Sequence, residues 1–338
     1  MIVILKHGVT DDKRDQLIRW FNSQGLGVDV SKGEFQTILG LIGDVLSLDT
    51  DMIEGLDIVQ AIRRVTEPFK RCNRKFQPDD TVVSAGDAKL GGGNFAVFAG
   101  AASLESEERT VALAKKVREA GADIFFGGSV NARVTSYVIQ KQIHRELEYL
   151  KAAKAETGIP VAKEILSVED VPKYEDIDVL IIGQRNMANY PLLAEVGAMD
   201  KPVILRRSVS ATLEELLITA DYIMTGGNKN IILCERGIRT FSDNTKFTFD
   251  ISAVPLLKEL SHLPVIADAS RSTGLGRLAR PMANAACAAG ADGIRIDVNL
   301  DSETDEEYAV QNSTQSVSVD EFASIVSDTK KIREVLFQ

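Results

Sequence analysis

Arginine recurs where short apolar runs end: Arg185 follows the run VLIIG, Arg206 and Arg207 follow VIL, Arg236 follows IILC by two residues, and Arg271 lies three residues beyond VIAD. A guanidinium presents a rigid planar fork of donors that matches carboxylate and phosphate oxygens. Arginines gathered at one end of a fold therefore suit a small, multiply anionic molecule. Carboxylates occupy the same kind of position, at Glu164, Glu235, Asp268 and Asp297. Two readings of this mixture stand side by side: the arginines bind an anion while Glu164, Asp268 or Asp297 move protons, or several of them pair with those acids as salt bridges. Lys163 adds a third chemistry, because a lysine at a strand end can form a Schiff base with a ketone. Alternation along a strand sends Lys163 and Glu164 to opposite faces, which favours a salt bridge or phosphate contact for the lysine.

Metal chemistry has few donors to draw on. Only three histidines are present, His7, His144 and His262, none near another in sequence. The three cysteines, Cys72, Cys234 and Cys287, form no CxxC pair. Neither a histidine-rich centre, nor a cysteine zinc site, nor a disulfide framework is expected. No cofactor is expected either: GGGN (Gly91 to Asn94) precedes a strand instead of joining strand to helix, so it lacks the context of a dinucleotide fingerprint.

Such residues need a frame that brings strand ends together. Beyond Thr81, β-branched runs alternate with amphipathic segments, and eight strands are countable: Ala96 to Phe98, Ile124 to Phe126, Val161 to Ile165, Val179 to Ile182, Val203 to Leu205, Ile231 to Leu233, Val265 to Ala267 and Gly293 to Ile296. Eight such repeats over about 250 residues indicate an α/β protein with a (β/α)8 TIM barrel, ahead of an open doubly wound sheet. Barrel chemistry sits where strands end and loops begin, which is where the arginines and acids lie. Thr81 to Leu90 reads as a hairpin at the barrel bottom. The preceding order is strand (Ile2 to Leu5), helix (Asp11 to Ser23), two strands (Val28 to Val30, Gln36 to Leu41), short helix after Asp49 and strand (Ile58 to Val65), the ferredoxin-like plan. The chain thus divides into residues 1–78, a small ferredoxin-like α+β domain for regulation or assembly, and residues 79–338, the barrel.

Thirty-nine basic against 49 acidic residues give a net charge of -10, so no global field draws the chain to nucleic acid or an anionic membrane. The opening MIVIL turns charged at Lys6, too early for a signal-peptide core, and no apolar run approaches the roughly 20 residues of a membrane span. The expected setting is cytoplasmic. The expected partners are a small anionic metabolite and further copies of the chain in a homo-oligomer, with no nucleic acid and no membrane.

CERGIRTF (Cys234 to Phe241) and FDISAVPLLKELSHLPVIAD (Phe249 to Asp268), together with SKGEFQTILGLIGD (Ser31 to Asp44) and IIGQRNMANYPLLAEVG (Ile181 to Gly197), resemble 3-deoxy-D-arabino-heptulosonate 7-phosphate (DAHP) synthase of the type with an N-terminal ferredoxin-like domain. The similarity runs through essentially the whole chain. It implies a barrel that condenses phosphoenolpyruvate with erythrose 4-phosphate, using a divalent metal held by cysteine, histidine, glutamate and aspartate. Each of those positions is altered. The family's AGPCS is AGAAS here, putting Ala102 in the place of the cysteine; DPSH is DASR, putting Arg271 in the place of the histidine. The glutamate matches Asp297 in IRIDVN, and the aspartate of SDGxQS matches Asn312 in QNSTQS. A site without thiolate and imidazole, and with a guanidinium inside it, should not hold a divalent metal.

The substrate side is edited selectively. GGxxKPRTSPYSFQG reads GGSVNARVTSYVIQK, which keeps Arg133 and Tyr137 but turns the catalytic lysine into Asn131. KRG reads RRS, giving Arg206 and Ser208, and a family threonine has become Lys163 beside the retained Glu164. Arg185 in GQRN and Arg236 in CERG match the phosphate-binding arginines. The resemblance thus implies a metal-independent, aldolase-type transferase or lyase outside DAHP synthesis itself. Arg133, Arg185, Arg206 and Arg236 would bind the anion, Arg271 would take over the metal's electrostatic role, and Glu164, Asp268 or Asp297 would move protons. A catalytically inactive paralogue that binds a metabolite or partner subunit, and an active synthase with a rewired site, are the alternatives.

Overall fold

The computed structural model describes residues 1–33, 36–45, 48–128, 136–300 and 314–337. They fall into two compact units, one of Met1–Asp80 with Glu259–His262, the other of Thr81–Lys258 with Leu263–Gln338.

The first unit runs β1 (Ile2–Leu5), α1 (Asp11–Ser23), β2 (Gly27–Lys32), β3 (Thr37–Ile42), α2 (Thr50–Glu54) and β4 (Val59–Arg63). Its antiparallel sheet has the order β2-β3-β1-β4, which is the ferredoxin-like arrangement. Strand β1 is apolar at every position because both its faces are covered. Val3 and Leu5 pack with Leu17 and Phe21 of α1, whereas Ile2 and Ile4 pack with Ile38, Val65 and Phe76. Trp20 lies against the first of these cores. Asp49 starts α2 by accepting the backbone N–H groups of Asp51 and Met52 at 3.1 Å each, the usual work of a capping carboxylate.

The second unit opens with a hairpin, β5 (Val83–Ala85) and β6 (Ala88–Leu90), and continues into β7 (Ala96–Ala101), β8 (Ile124–Gly127), β9 (Val161–Ile165), β10 (Val179–Ile182), β11 (Val203–Arg206), β12 (Ile231–Glu235), β13 (Val265–Asp268) and β14 (Gly293–Asn299). Strands β7 to β14 pair in parallel with their chain neighbours, and β14 closes the circle onto β7. This is the eight-stranded barrel that the repeats predicted. Several strands run one to three residues beyond the last apolar position, so that Arg206, Glu235, Asp268 and Asp297 belong to strands instead of loops.

That extension decides where the charges point. Phe98, Ile124, Phe126, Ala162, Ile181, Ile204, Ile232, Cys234 and Ile266 form one buried cluster with Val83, Ala85, Ala88 and Leu90 of the hairpin. The hairpin therefore plugs the end of the barrel where the strands begin. Each inward row has a period of two, so Ala162 leads to Glu164, Ile204 to Arg206, Ile266 to Asp268, and Arg295 to Asp297. An apolar layer at the bottom is thus followed by a charged layer at the mouth. Among the described residues, no helix is long and apolar enough to cross a membrane.

Candidate active site

The charged layer is held together by short contacts. Arg206 donates from Nη2 to Asp268 Oδ2 at 3.1 Å, and its Nη1 lies 3.8 Å from Glu164 Oε2. Arg271 donates from Nε to Asp297 Oδ2 at 3.2 Å, and its backbone N–H donates to Asp268 Oδ1 at 3.0 Å. The latter bond exists because Asp268 caps the short helix Ala269–Thr273 that carries Arg271. Asp297 Oδ2 also accepts from Gln315 Nε2 at 2.5 Å. Arg236 donates from Nη1 to Gln184 Oε1 and stacks over the Phe247 ring, with 4.6 Å from guanidinium carbon to centroid.

One member of the layer was missed in the sequence. Arg295 donates to Asp268 Oδ2 at 2.8 Å, touches Asp297 Oδ1 at 3.0 Å and stacks 3.5 Å over the ring of Phe126. The signal was present: a charged residue inside an apolar strand, two positions before Asp297 and so on the same face.

Among the described residues the layer is short of negative charge. Arg206, Arg236, Arg271 and Arg295 meet the three carboxylates Glu164, Asp268 and Asp297, all seven buried except the half-open Glu164. Burial drives the pKa of Arg236 down, and the neighbouring Arg206 and Arg271 lower it further. Lys246 is pushed the same way by partial desolvation, then by Arg236 and Arg271. For Asp268, burial opposes ionisation, but Arg295, Arg206, Arg271 and Arg236 overcome it and hold the carboxyl down at about 2. An anion in this layer would relieve the cations; a further cation would not. The side-chain atoms Arg206 Nε, Arg236 Nε, Arg271 Nη2 and Arg295 Nε are buried and make no hydrogen bond among the described residues.

Several expectations are corrected by this geometry. Lys163 does not reach the mouth. It is fully buried on the helix-facing side of β9, where Nζ donates to Glu146 Oε2 at 2.7 Å, and Glu146 is as deeply buried on the helix Ser136–Thr157. A Schiff-base lysine needs access to substrate, and this one has none. Asp268 is kept ionised between two guanidiniums and a backbone N–H, so it is unsuited to moving protons near neutrality. Arg207 turns away from Arg206, as alternation requires, and pairs with Glu235 at 2.9 Å and Asp250 at 2.8 Å. Glu164 is the most open carboxylate of the layer, at 12% exposure, and has its seat because a Cβ at Gly183 would collide with Glu164 Oε1.

Arg185 lies on the turn after β10, exposed, and lines a cavity of about 570 Å³ with Gln184, Met187, Tyr190, Ser208 and Ser210. Arg236 reaches that wall through Gln184. Arg133, Asn131 and Asn312 lie outside the described residues, as does the acidic run from Asp301 to Glu307.

The chain matches the family model of the DAHP synthetase I family over residues 76–335, and that of the DAHP synthase ferredoxin-like domain over residues 1–67. It belongs to the DAHP synthetase I family. A phospho-2-dehydro-3-deoxyheptonate aldolase of Thermotoga maritima is 40% identical over 337 residues, covering 99% of this chain and 98% of that protein. A crystal structure of the DAHP synthase of Thermotoga maritima superposes with a TM-score of 0.75 at 38% identity, covering 99% of this chain and 97% of the other. A 2-dehydro-3-deoxyphosphooctonate aldolase of Geobacter sulfurreducens is 25% identical over 274 residues, covering 75% of this chain and 98% of that protein. The chain is an enzyme of this aldolase-type family.

The donors present do not fit the divalent metal that the resemblance implies. Where a histidine would stand, a buried guanidinium is bonded to Asp297, the carboxylate that would be its fellow ligand. Ala102 offers no donor. Cys234, the thiol nearest the charged layer in its inward row, is pushed up to about 12 by burial and by Asp268, which leaves it protonated and a poor ligand. Among the described residues, no group of three or more histidine, cysteine, aspartate or glutamate side chains is disposed to hold a metal ion.

Proposed function

We propose that this enzyme makes or breaks a carbon-carbon bond in a small phosphorylated or carboxylated substrate without a metal, with the Arg271 guanidinium supplying the fixed positive charge. Arg185 and Arg236 bind the phosphate or carboxylate, Arg206 helps to neutralise it, and Arg271 donates to the substrate oxygen on which charge develops. Glu164, the open carboxylate beside Arg206, moves the proton. The observation that carries this reading is the bond from Arg271 Nε to Asp297 at 3.2 Å, inside a layer where four guanidiniums meet three carboxylates. A permanent cation already stands where a metal would have to bind.

A second reading is favoured by the identity of 40% over nearly the whole chain to the Thermotoga maritima aldolase: condensation of phosphoenolpyruvate with erythrose 4-phosphate by a rewired site. One assay separates the two. Protein dialysed against a chelator is incubated with both compounds, with and without added manganese, and consumption of phosphoenolpyruvate is followed. No consumption under either condition supports a different acceptor or donor, and consumption indifferent to the chelator supports the rewired synthase. Turnover that disappears with chelation and returns with manganese refutes metal independence.

A further inference from the structure

The contacts around Arg271 close a ring. Its backbone N–H donates to Asp268 Oδ1 at 3.0 Å; Asp268 Oδ2 accepts from Arg295 Nη1 at 2.8 Å; Arg295 Nη1 lies 3.0 Å from Asp297 Oδ1; and Asp297 Oδ2 accepts from Arg271 Nε at 3.2 Å. The side of the ring between Arg295 and Asp297 is a charge contact and not an aligned hydrogen bond, since Asp297 Oδ1 has no hydrogen-bond donor. Arg295 cannot swing away, because its guanidinium lies flat on Phe126 and only 3% of its side chain is exposed. Asp297 is therefore gripped on one oxygen by Arg295 and on the other by Arg271 and Gln315. What the ring leaves over on Arg271 is Nη2, buried and without a hydrogen-bond partner among the described residues.

We propose that Arg295 is a positioning residue: through Asp297 and Asp268 it holds Arg271 at both its backbone and its side chain, so that the guanidinium is presented to a 2-oxo acid. This rests on the reading that Arg271 supplies the fixed charge. A planar guanidinium edge matches two coplanar oxygens, and a carboxylate conjugated with an adjacent carbonyl offers them. A cation serves a developing negative charge only if it needs no reorganisation when that charge appears, and a ring that fixes both ends of Arg271 meets that condition. A purely structural ring, pinning β13 to β14, would make no difference to ligand affinity once the protein is folded.

The experiment is calorimetric titration of the full chain with pyruvate and, separately, with inorganic phosphate, alongside thermal melts. The variants are R295K, R271K, the double R271K/R295K, and F126L, which removes the ring beneath Arg295 without touching a charge. R295K keeps the charge but loses the planar guanidinium that lies on Phe126 and holds its Nη1 between two carboxylates. It should weaken pyruvate binding by about tenfold, the loss of one charge-assisted hydrogen bond, while phosphate affinity stays within about twofold. R271K should show the same selective loss. The double variant should be no weaker than R271K, because residues that act as one unit are not additive. F126L should show a smaller loss in the same direction, and it decides the matter if R295K fails to fold. Unchanged pyruvate affinity in folded R295K or F126L, or additive losses in the double variant, would overturn the proposal. A native protein that binds phosphate but not pyruvate would overturn it too while leaving the phosphate seat intact. One that binds neither removes the anion-binding reading itself.

Discussion

Arg236→Met separates a binding arginine from a structural one. Arg236 is buried, donates to no carboxylate among the described residues, donates to a neutral amide at Gln184 and stacks on Phe247. Its pKa is lowered by burial and by Arg206 and Arg271, so in the empty site its charge opposes folding. Methionine keeps much of the apolar stem against Phe247 and removes that charge. Thermal stability without ligand should therefore be unchanged or slightly higher. Binding should move the other way: a hydrogen bond from a charged donor to an anion is worth about 1.5 to 3 kcal/mol, so phosphate affinity should fall by about ten- to a hundredfold. The two effects meet in a ligand-dependent melt. At a phosphate concentration of about 100 times its Kd, the native protein gains about 2.7 kcal/mol, and the variant at the same concentration gains only about 0.4 to 1.4 kcal/mol. Calorimetric titration and melts with and without phosphate measure both quantities. A variant that melts far below the native protein yet binds phosphate with unchanged affinity would refute the reasoning.

Elemental analysis of protein dialysed under mild conditions should find no stoichiometric transition metal, and Arg271→His should abolish the native activity without restoring metal-dependent condensation, since Ala102 still supplies no thiolate. Lys163→Met should cost about 3 to 5 kcal/mol in chemical denaturation because it leaves Glu146 buried and uncompensated, and adding Glu146→Leu should recover most of it; an unaffected single variant would contradict the buried pair. Asp268 is held ionised well below the ordinary carboxylate value of about 3.9, so it adds stability that is fully present above that pH and is lost as pH falls towards about 2. Asp268→Asn should therefore flatten the acid limb of the stability profile between about pH 4 and pH 2, read from denaturation midpoints at each pH.

Periodicity in the sequence was enough for the architecture. A β-branched run of four residues flanked by amphipathic segments can be buried on both faces only inside a covered parallel sheet, and eight of them close a barrel. The same local rule located the chemistry at the strand ends and separated Lys163 from Glu164, because side chains alternate along a strand whatever surrounds them. The substituted positions Ala102, Arg271 and Asp297 were also legible, through the resemblance, which says where the family's donors would stand.

Pairing was not legible, because it depends on which strands become neighbours and how far each one extends. That Lys163 would be neutralised by Glu146, 17 residues earlier, required the helix Ser136–Thr157 to lie across β9. That Asp268 would be held by Arg206 and Arg295, from 62 and 27 residues away, required β11, β13 and β14 to bring one inward row of side chains to a common level. Arg295 itself looked like a stray charge in IRIDVN. Only closure of β14 onto β7, beside β8 and its Phe126, gave it an aromatic floor and two carboxylates. Charge type is written residue by residue, whereas the balance of buried charge is a sum over strands that meet only in the folded barrel. For that reason the partner of each cation at the mouth became visible only in three dimensions.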